Sequence, residues 1–400
     1  MSSVALPGSR VSMSALLSSG FRPFFLLGAC YGPLALALNL AAGAGHWPLG
    51  EAVLELGHAH ELIYGFASAT VCGIVLTALP GWTGAAELRG ARLAALVVLW
   101  LAGRIAWWAG LWLPNSVALL ADCALFPALL LMLLPTMQGA RKRLFVWTLP
   151  PLLGLAAGNV LVHVALGRGD MAQARFGIAL GLHALMFMFS LFAGLLTPAF
   201  TRAWLRERGE HSGAVWLPLE YAAALAILLF AAADLLQASA GLMVLAAAVA
   251  CGLHGWRFAR WRGWRTAAEP LLWTLHLGYA FLIAAFALRG ACALLPTLGP
   301  DAWIHLFTLG ALGMCKVGLM TRVALRHTGR PMRVPRLMKL AYAMMPAAAL
   351  LRLAYTVHHL SEVVLALSAL LWSLSLLLYL VCFAPALLRP SWSRLPVVSK

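Results

Sequence analysis

Apolar runs long enough to cross a bilayer follow one another along almost the whole chain, with short polar joints between them. A spanning helix takes about 20 residues, and twelve such runs are predicted, at residues 21–43, 58–80, 92–112, 114–136, 145–167, 176–200, 215–236, 239–256, 268–295, 302–324, 336–357 and 363–386. No polar stretch between them is long enough to bury a core of its own. The pattern predicts an all-α fold, a polytopic integral membrane helix bundle of about twelve transmembrane helices. It fills residues 1–400 as a single transmembrane domain with no separate soluble domain. The first run follows a short polar leader and continues as a full-length span, so a cleavable signal peptide is not expected.

Composition agrees: 62% of residues are hydrophobic, 10% are charged, and the mean hydropathy is +0.88, where soluble domains carry about 25% charged residues. A net charge of +16 raises the question of nucleic acid, but the basic residues sit in the joints and alternate in side. Arg89 and Arg92, then Arg141, Lys142 and Arg143, then Arg202, Arg206 and Arg208 fall on one side. Arg257, Arg260, Arg262 and Arg265, the run from Arg322 to Arg336, and Arg389, Arg394 and Lys400 join them. The opposite joints carry Glu51, Glu55, Asp301 and Glu362, with Arg168 and Arg175 as basic exceptions. This is the positive-inside signature, so the partner is the lipid bilayer and not nucleic acid, and both termini are expected to be cytoplasmic. The seven cysteines lie singly inside apolar runs, which excludes a disulfide framework, a thiolate-zinc site and covalent c-type haem.

The polar groups converge on residues 57–84, GHAHELIYGFASATVCGIVLTALPGWTG. His58, His60 and Glu61 stand where a polar joint becomes an apolar span, and ionisable groups at that depth are functional-site candidates by default. With the topology above, His58 and His60 open span 2 from outside and His305 opens span 10 in the same way. His183 in span 6 and His163 in span 5 lie within two turns of the outer ends, and His358 and His359 end span 11. His276 lies nearer the inner side, while His46, His211, His254 and His327 read as solvated joint residues. Histidines from several helices at one depth point to metal or haem ligation.

Spacing refines this. His58 and His60 are about 200° apart on a helix, so they serve two centres, or one centre and a hydrogen-bond partner. Glu61 shares a face with His58 and is placed to orient it, and Asn159, one turn before His163, is placed to do the same there. Small residues continue both histidine faces: Gly65, Ser68 and Cys72 after Glu61, Ser190 and Gly194 after His183. Close helix packing accounts for such stripes, and a flat macrocycle needs the same clearance. Arg104 and Asp122 fall level across the turn at Leu113–Pro114 and are expected to form a structural ion pair. Asp234 and Arg289 are level in the same sense. Lys316, in mid-span 10, either snorkels inward or lies beside a haem propionate or a proton path.

No P-loop, GxGxxG, GxSxG or HExxH motif is present, so nothing supports an ATPase, dehydrogenase, hydrolase or zinc peptidase. The tryptophans mostly sit near span ends, as interfacial anchors do.

Several blocks resemble the NnrS family: GFRPFFLLGA from Gly20, HAHELIYGF from His58, LTALPGWTG from Leu76, WLAGR from Trp100, and HLFTLGALG with MTRVALRHTGRP from His305 onward. The resemblance implies a bacterial inner-membrane protein that binds haem, here of b type, and copper, and that is linked to nitric oxide metabolism, nitrosative stress and denitrification. It makes His58, His60 and His305 the leading ligand candidates; depth adds His183 and His163. It implies nitric oxide or another small diatomic ligand as partner, together with an electron donor that the sequence does not identify. An apolar residue is expected where Lys316 stands. Whether the protein is an enzyme is left open by the resemblance. A transporter or metal- and haem-handling protein using the same outer histidines is the alternative; no internal repeat is visible, and Pro80, Pro198 and Pro218 fall near span ends rather than midway, which counts against it.

Overall fold

The computed structural model describes residues 11–46, 50–137, 143–211 and 213–392. Arg141, Lys142, Arg394 and Lys400, part of the charge pattern above, lie outside the described residues. Twelve helices long and apolar enough to cross a membrane are present among them, and no strand is: Phe21–Gly43, Val53–Thr83, Ala91–Trp108, Asn115–Thr136, Val146–Arg168, Met171–Arg206, Leu217–Leu235, Ala240–Arg260, Pro270–Leu294, Ala302–His327, Arg336–His358 and Glu362–Leu388, spans 1 to 12 in order. The all-α, multi-pass membrane fold follows. Exposed apolar side chains such as Ile105, Leu120, Leu131, Leu229 and Val381 are the residues that such a protein turns to lipid.

Burial is uneven. Spans 2, 6 and 10 bury 76%, 72% and 72% of their apolar windows, against 28% for each of spans 7, 8, 11 and 12. The enclosed three are those that carry His60, His183 and His305. Spans 2 and 10 share a second feature that the sequence pattern did not disclose. Each contains a π-helical segment, Glu61–Ala67 and Leu306–Gly313, and each segment begins directly after a motif histidine. π-Helical turns hold an extra residue, are energetically poor, and occur often at functional sites.

By its contacts the chain divides into two compact units: Met1–Ile178 with Met320–Pro335 and Leu376–Lys400, and Ala179–Leu319 with Arg336–Ser375. In the first, span 1 packs along span 2, span 3 along span 4, and span 4 against span 5. The joint between spans 5 and 6 is one tight turn: Gly169 takes a left-handed φ of 71° that favours glycine, and Asp170 Oδ1 accepts the amide of Gln173 to cap the next helix. The GFRPFF block has a structural use. Arg22 is buried and donates to the carbonyls of Leu387 and Arg389, at 2.8 and 2.7 Å, filling the otherwise unpaired acceptors at the end of span 12.

In the second unit spans 7, 8 and 9 pack in sequence, and spans 9 and 11 both lie on the π-helical segment of span 10. Span 9 starts with Pro270 in its first turn and the Glu269 carboxylate capping the Leu271 amide at 3.1 Å.

Candidate functional site

The first unit gathers polar side chains from four spans. On span 3, Trp100, Arg104 and Trp107 recur at helical spacing and face inward, all buried. Gly103, beside Arg104, lacks the Cβ that would collide with Asp122 of span 4, so the two helices close to ion-pairing distance. Arg104 donates to Asp122 through one terminal nitrogen and to Glu61 through the other. His60 lies between them, with Nδ1 2.8 Å from Glu61 Oε1 and Nε2 3.1 Å from Asp122 Oδ2. Its ring stacks on Trp107 at 3.5 Å and 7°. From span 5, His163 Nε2 approaches the same Asp122 oxygen at 2.7 Å, and Asn159 Oδ1 reaches His60 Nε2 at 2.9 Å.

Donor counting restricts what this cluster can be. Asn159 Nδ2 donates to the backbone oxygen of Asp122 at 3.2 Å, which turns its amide oxygen to His60. Both nitrogens of His60 therefore face oxygens. A neutral imidazole donates through only one nitrogen, so the arrangement needs a proton on both, or a proton on Glu61, or a bound cation. Charge leads to the same result, because two carboxylates share one guanidinium and leave one negative charge uncompensated in an apolar surround. Glu61 Oε2 is also buried without a hydrogen-bond partner among the described residues. Ligand atoms of His60, Asp122 and His163 all lie within 4.8 Å of one another, as a metal ion would require.

The expected residues separate. His60, His163, Glu61, Asn159, Arg104 and Asp122 come together. His58 does not join them: its side chain is exposed, on the face opposite His60. The expected orientation of His58 by Glu61 is corrected: the carboxylate serves His60, whose Nδ1 lies 2.8 Å from Glu61 Oε1. Asn159 likewise serves His60, across the 2.9 Å from its Oδ1 to His60 Nε2. The clearance expected along Gly65 and Ser68 is filled. A Cβ on Gly65 would strike Tyr31 and Arg104, and Trp100 Nε1 donates to the Gly65 carbonyl at 3.0 Å.

The second unit holds His183 and His305. His183 Nε2 is 2.8 Å from Asp234 Oδ2, and Arg289 Nε donates to the other oxygen of Asp234 at 2.6 Å. The carboxylate thus accepts the hydrogen bond from Nε2–H, and Nδ1 is buried with no hydrogen-bond partner among the described residues. His305 is half-buried, and its Nδ1 lies 3.1 Å from the Asp301 carbonyl. His358 and His359 are exposed. Lys316 is buried, at 6% exposure.

Two further expectations are corrected here. His254 is not a solvated joint residue: span 8 continues to Arg260, and His254 is fully buried, with Nδ1 2.7 Å from the Tyr279 hydroxyl and Nε2 3.1 Å from the Ala223 carbonyl. Arg257 is also inside the span, paired with Glu220 and donating to Tyr279 at 3.0 Å and to the Ser190 carbonyl at 3.1 Å. It occupies the space that Gly194 leaves open. The Ser190–Gly194 stripe therefore houses a buried arginine.

Trp107 and Tyr279 were not singled out by sequence. For Trp107 the available signal was its helical spacing from Arg104; for Tyr279 there was none.

A family profile described as NnrS protein matches residues 15–391. No curated protein matches the chain, and no solved structure does.

Proposed function

The chain belongs to the NnrS family, a nitric-oxide-related group of membrane proteins, and on that premise we propose that it is a metal-binding inner-membrane protein that binds or helps process nitric oxide, with His60, Asp122 and His163 as its copper ligands. The observation that carries the assignment is the buried cluster with one uncompensated negative charge and an unpartnered Glu61 oxygen. Two imidazoles and a carboxylate form a donor set that suits copper, as it also suits iron and zinc; the family premise selects copper. When bound, copper would supply a redox-active centre for a small diatomic ligand. Arg104 fixes both carboxylates, Asn159 and Trp107 fix the His60 ring, and the apolar walls exclude water.

Haem fits less completely. His183 offers a buried ring nitrogen with its other nitrogen held by Asp234, as axial histidines are commonly held, but the space beside Gly194 on the same helix is taken by Arg257. We assign haem, of b type, to the His183 side on the donor alone. The alternation of basic and acidic joints supports cytoplasmic termini and an outward-facing His60 end.

The test is metal analysis and an optical spectrum of the detergent-purified protein, reduced, before and after nitric oxide. Bound copper that disappears in His60→Ala and His163→Ala supports the centre. A Soret band that shifts with the gas and is lost in His183→Ala supports the haem assignment. A colourless protein free of copper overturns both and returns the transporter reading, to be followed by metal uptake into proteoliposomes.

A further inference from the structure

The arginine-rich end of the second unit contains a small cavity apart from the histidines. It lies where span 6 ends, span 7 begins and span 8 ends, lined by Arg202, Glu220, Arg257, Arg260, Trp216 and Trp261, with a volume of about 10 Å³. That is about the size of one oxygen-sized atom.

Its charge is one-sided. Glu220 is neutralised by its ion pair with Arg257. Arg260 donates to the Ala214 carbonyl at 3.1 Å and lies over the Trp216 ring at 5.9 Å, and among the described residues no carboxylate pairs with it. Arg202 is half-buried and forms no hydrogen bond or ion pair among the described residues. Arg257 adds a buried Nε with no hydrogen-bond partner among the described residues. Two unbalanced guanidiniums beside a polar niche are the chemistry of an oxyanion site. Its size limits the ligand to inserting one oxygen while the remainder stays at the mouth. The mouth carries Trp216, 42% exposed, packed on Trp256, 50% exposed, at 5.2 Å; exposed indoles at a span end belong to the headgroup level of a bilayer.

We propose that this niche binds a phosphate-bearing anion, with one phosphate oxygen held among Arg202, Arg257 and Arg260. The phosphate can come from an anionic lipid headgroup or from a free phosphate. The site is independent of the metal centre proposed above.

Native mass spectrometry of delipidated protein tests it, with phosphatidylglycerol, phosphatidylcholine and inorganic phosphate each added separately. The expected result is one retained phosphatidylglycerol, with affinity falling roughly tenfold or more in the Arg202→Gln/Arg260→Gln variant, since each basic group near a headgroup contributes severalfold. Inorganic phosphate that binds as tightly as the lipid, with the same loss in the variant, assigns the niche to a soluble phosphate. Equal binding of all additions by wild type and variant overturns the proposal. Arg202→Gln alone, which removes no hydrogen bond, carries the test should the double variant misfold.

Discussion

The two units treat buried histidine differently. In the first, His60 has both ring nitrogens against oxygens, and Asp122 serves Arg104, His60 and His163 together. In the second, Asp234 serves one histidine and one arginine, its charge is balanced by Arg289, and a ring nitrogen has no hydrogen-bond partner among the described residues. The first network is one positive charge short of neutrality; the second is balanced as it stands. Buried charge is tolerated only when compensated, so the first cluster has to take up a cation or proton, while the second has the form of a pre-oriented single ligand.

Removing the shared carboxylates gives the largest expected contrast. Asp122→Ala leaves Arg104 paired with Glu61 alone and removes the carboxylate that both histidines face; the loss of these buried charged hydrogen bonds costs about 3 kcal/mol or more, and copper content should fall to background. Asp234→Ala leaves Arg289, which is partly exposed, and should cost less, about 1–3 kcal/mol, without changing copper content. Thermal unfolding in detergent and metal analysis check both. Equal copper loss in the two variants would break the comparison.

Glu61→Gln sharpens it further. The amide removes the uncompensated charge but keeps the shape, so copper affinity should weaken by about 10–100-fold. Copper added in excess raises the melting temperature of a protein that binds it in the folded state, and that gain should be smaller in Glu61→Gln than in wild type. An undiminished gain would mean that charge does not drive metal uptake there.

Gly65→Ala and Gly194→Ala ask whether each small-residue stripe is already full. The new methyl meets Tyr31 and Arg104 in one case and the Arg257 guanidinium in the other, and overpacking of this kind costs about 1–3 kcal/mol. In Gly65→Ala the disturbed Arg104 should also lower copper content. Gly194→Ala should lower only the melting temperature. If either substitution is neutral for stability, the stripe has room for something other than these side chains.

What the sequence made legible was mostly what hairpin arithmetic reaches. Arg104 meets Asp122, and Asp234 meets Arg289, because residues equidistant from a turn or at equal depth come level. The twelve spans were legible for the simpler reason that bilayer thickness fixes their length. The third members were not: His60 joins Asp122, and His183 joins Asp234, through packing between helices that no spacing specifies. His254 was misread because a basic joint was taken to begin at Arg257, when that arginine is buried and paired with Glu220. The π-helical turns after His60 and His305 were also hidden, since one extra residue per turn leaves the apolar pattern almost unchanged.

The smallest expected effect concerns His58, the residue of the HAHE motif that looked equal to His60. Two positions along a helix turn a side chain to the other face, and here that face is exposed while His60 is fully buried. His58→Ala should therefore leave copper content at its wild-type value, while His60→Ala loses copper. The contrast does not depend on how the two units are disposed, because both residues lie on one helix of one unit. Loss of copper in His58→Ala would show that the metal reaches the outer rim of span 2, and the centre would then have to be drawn around His58, with the buried cluster left as its support.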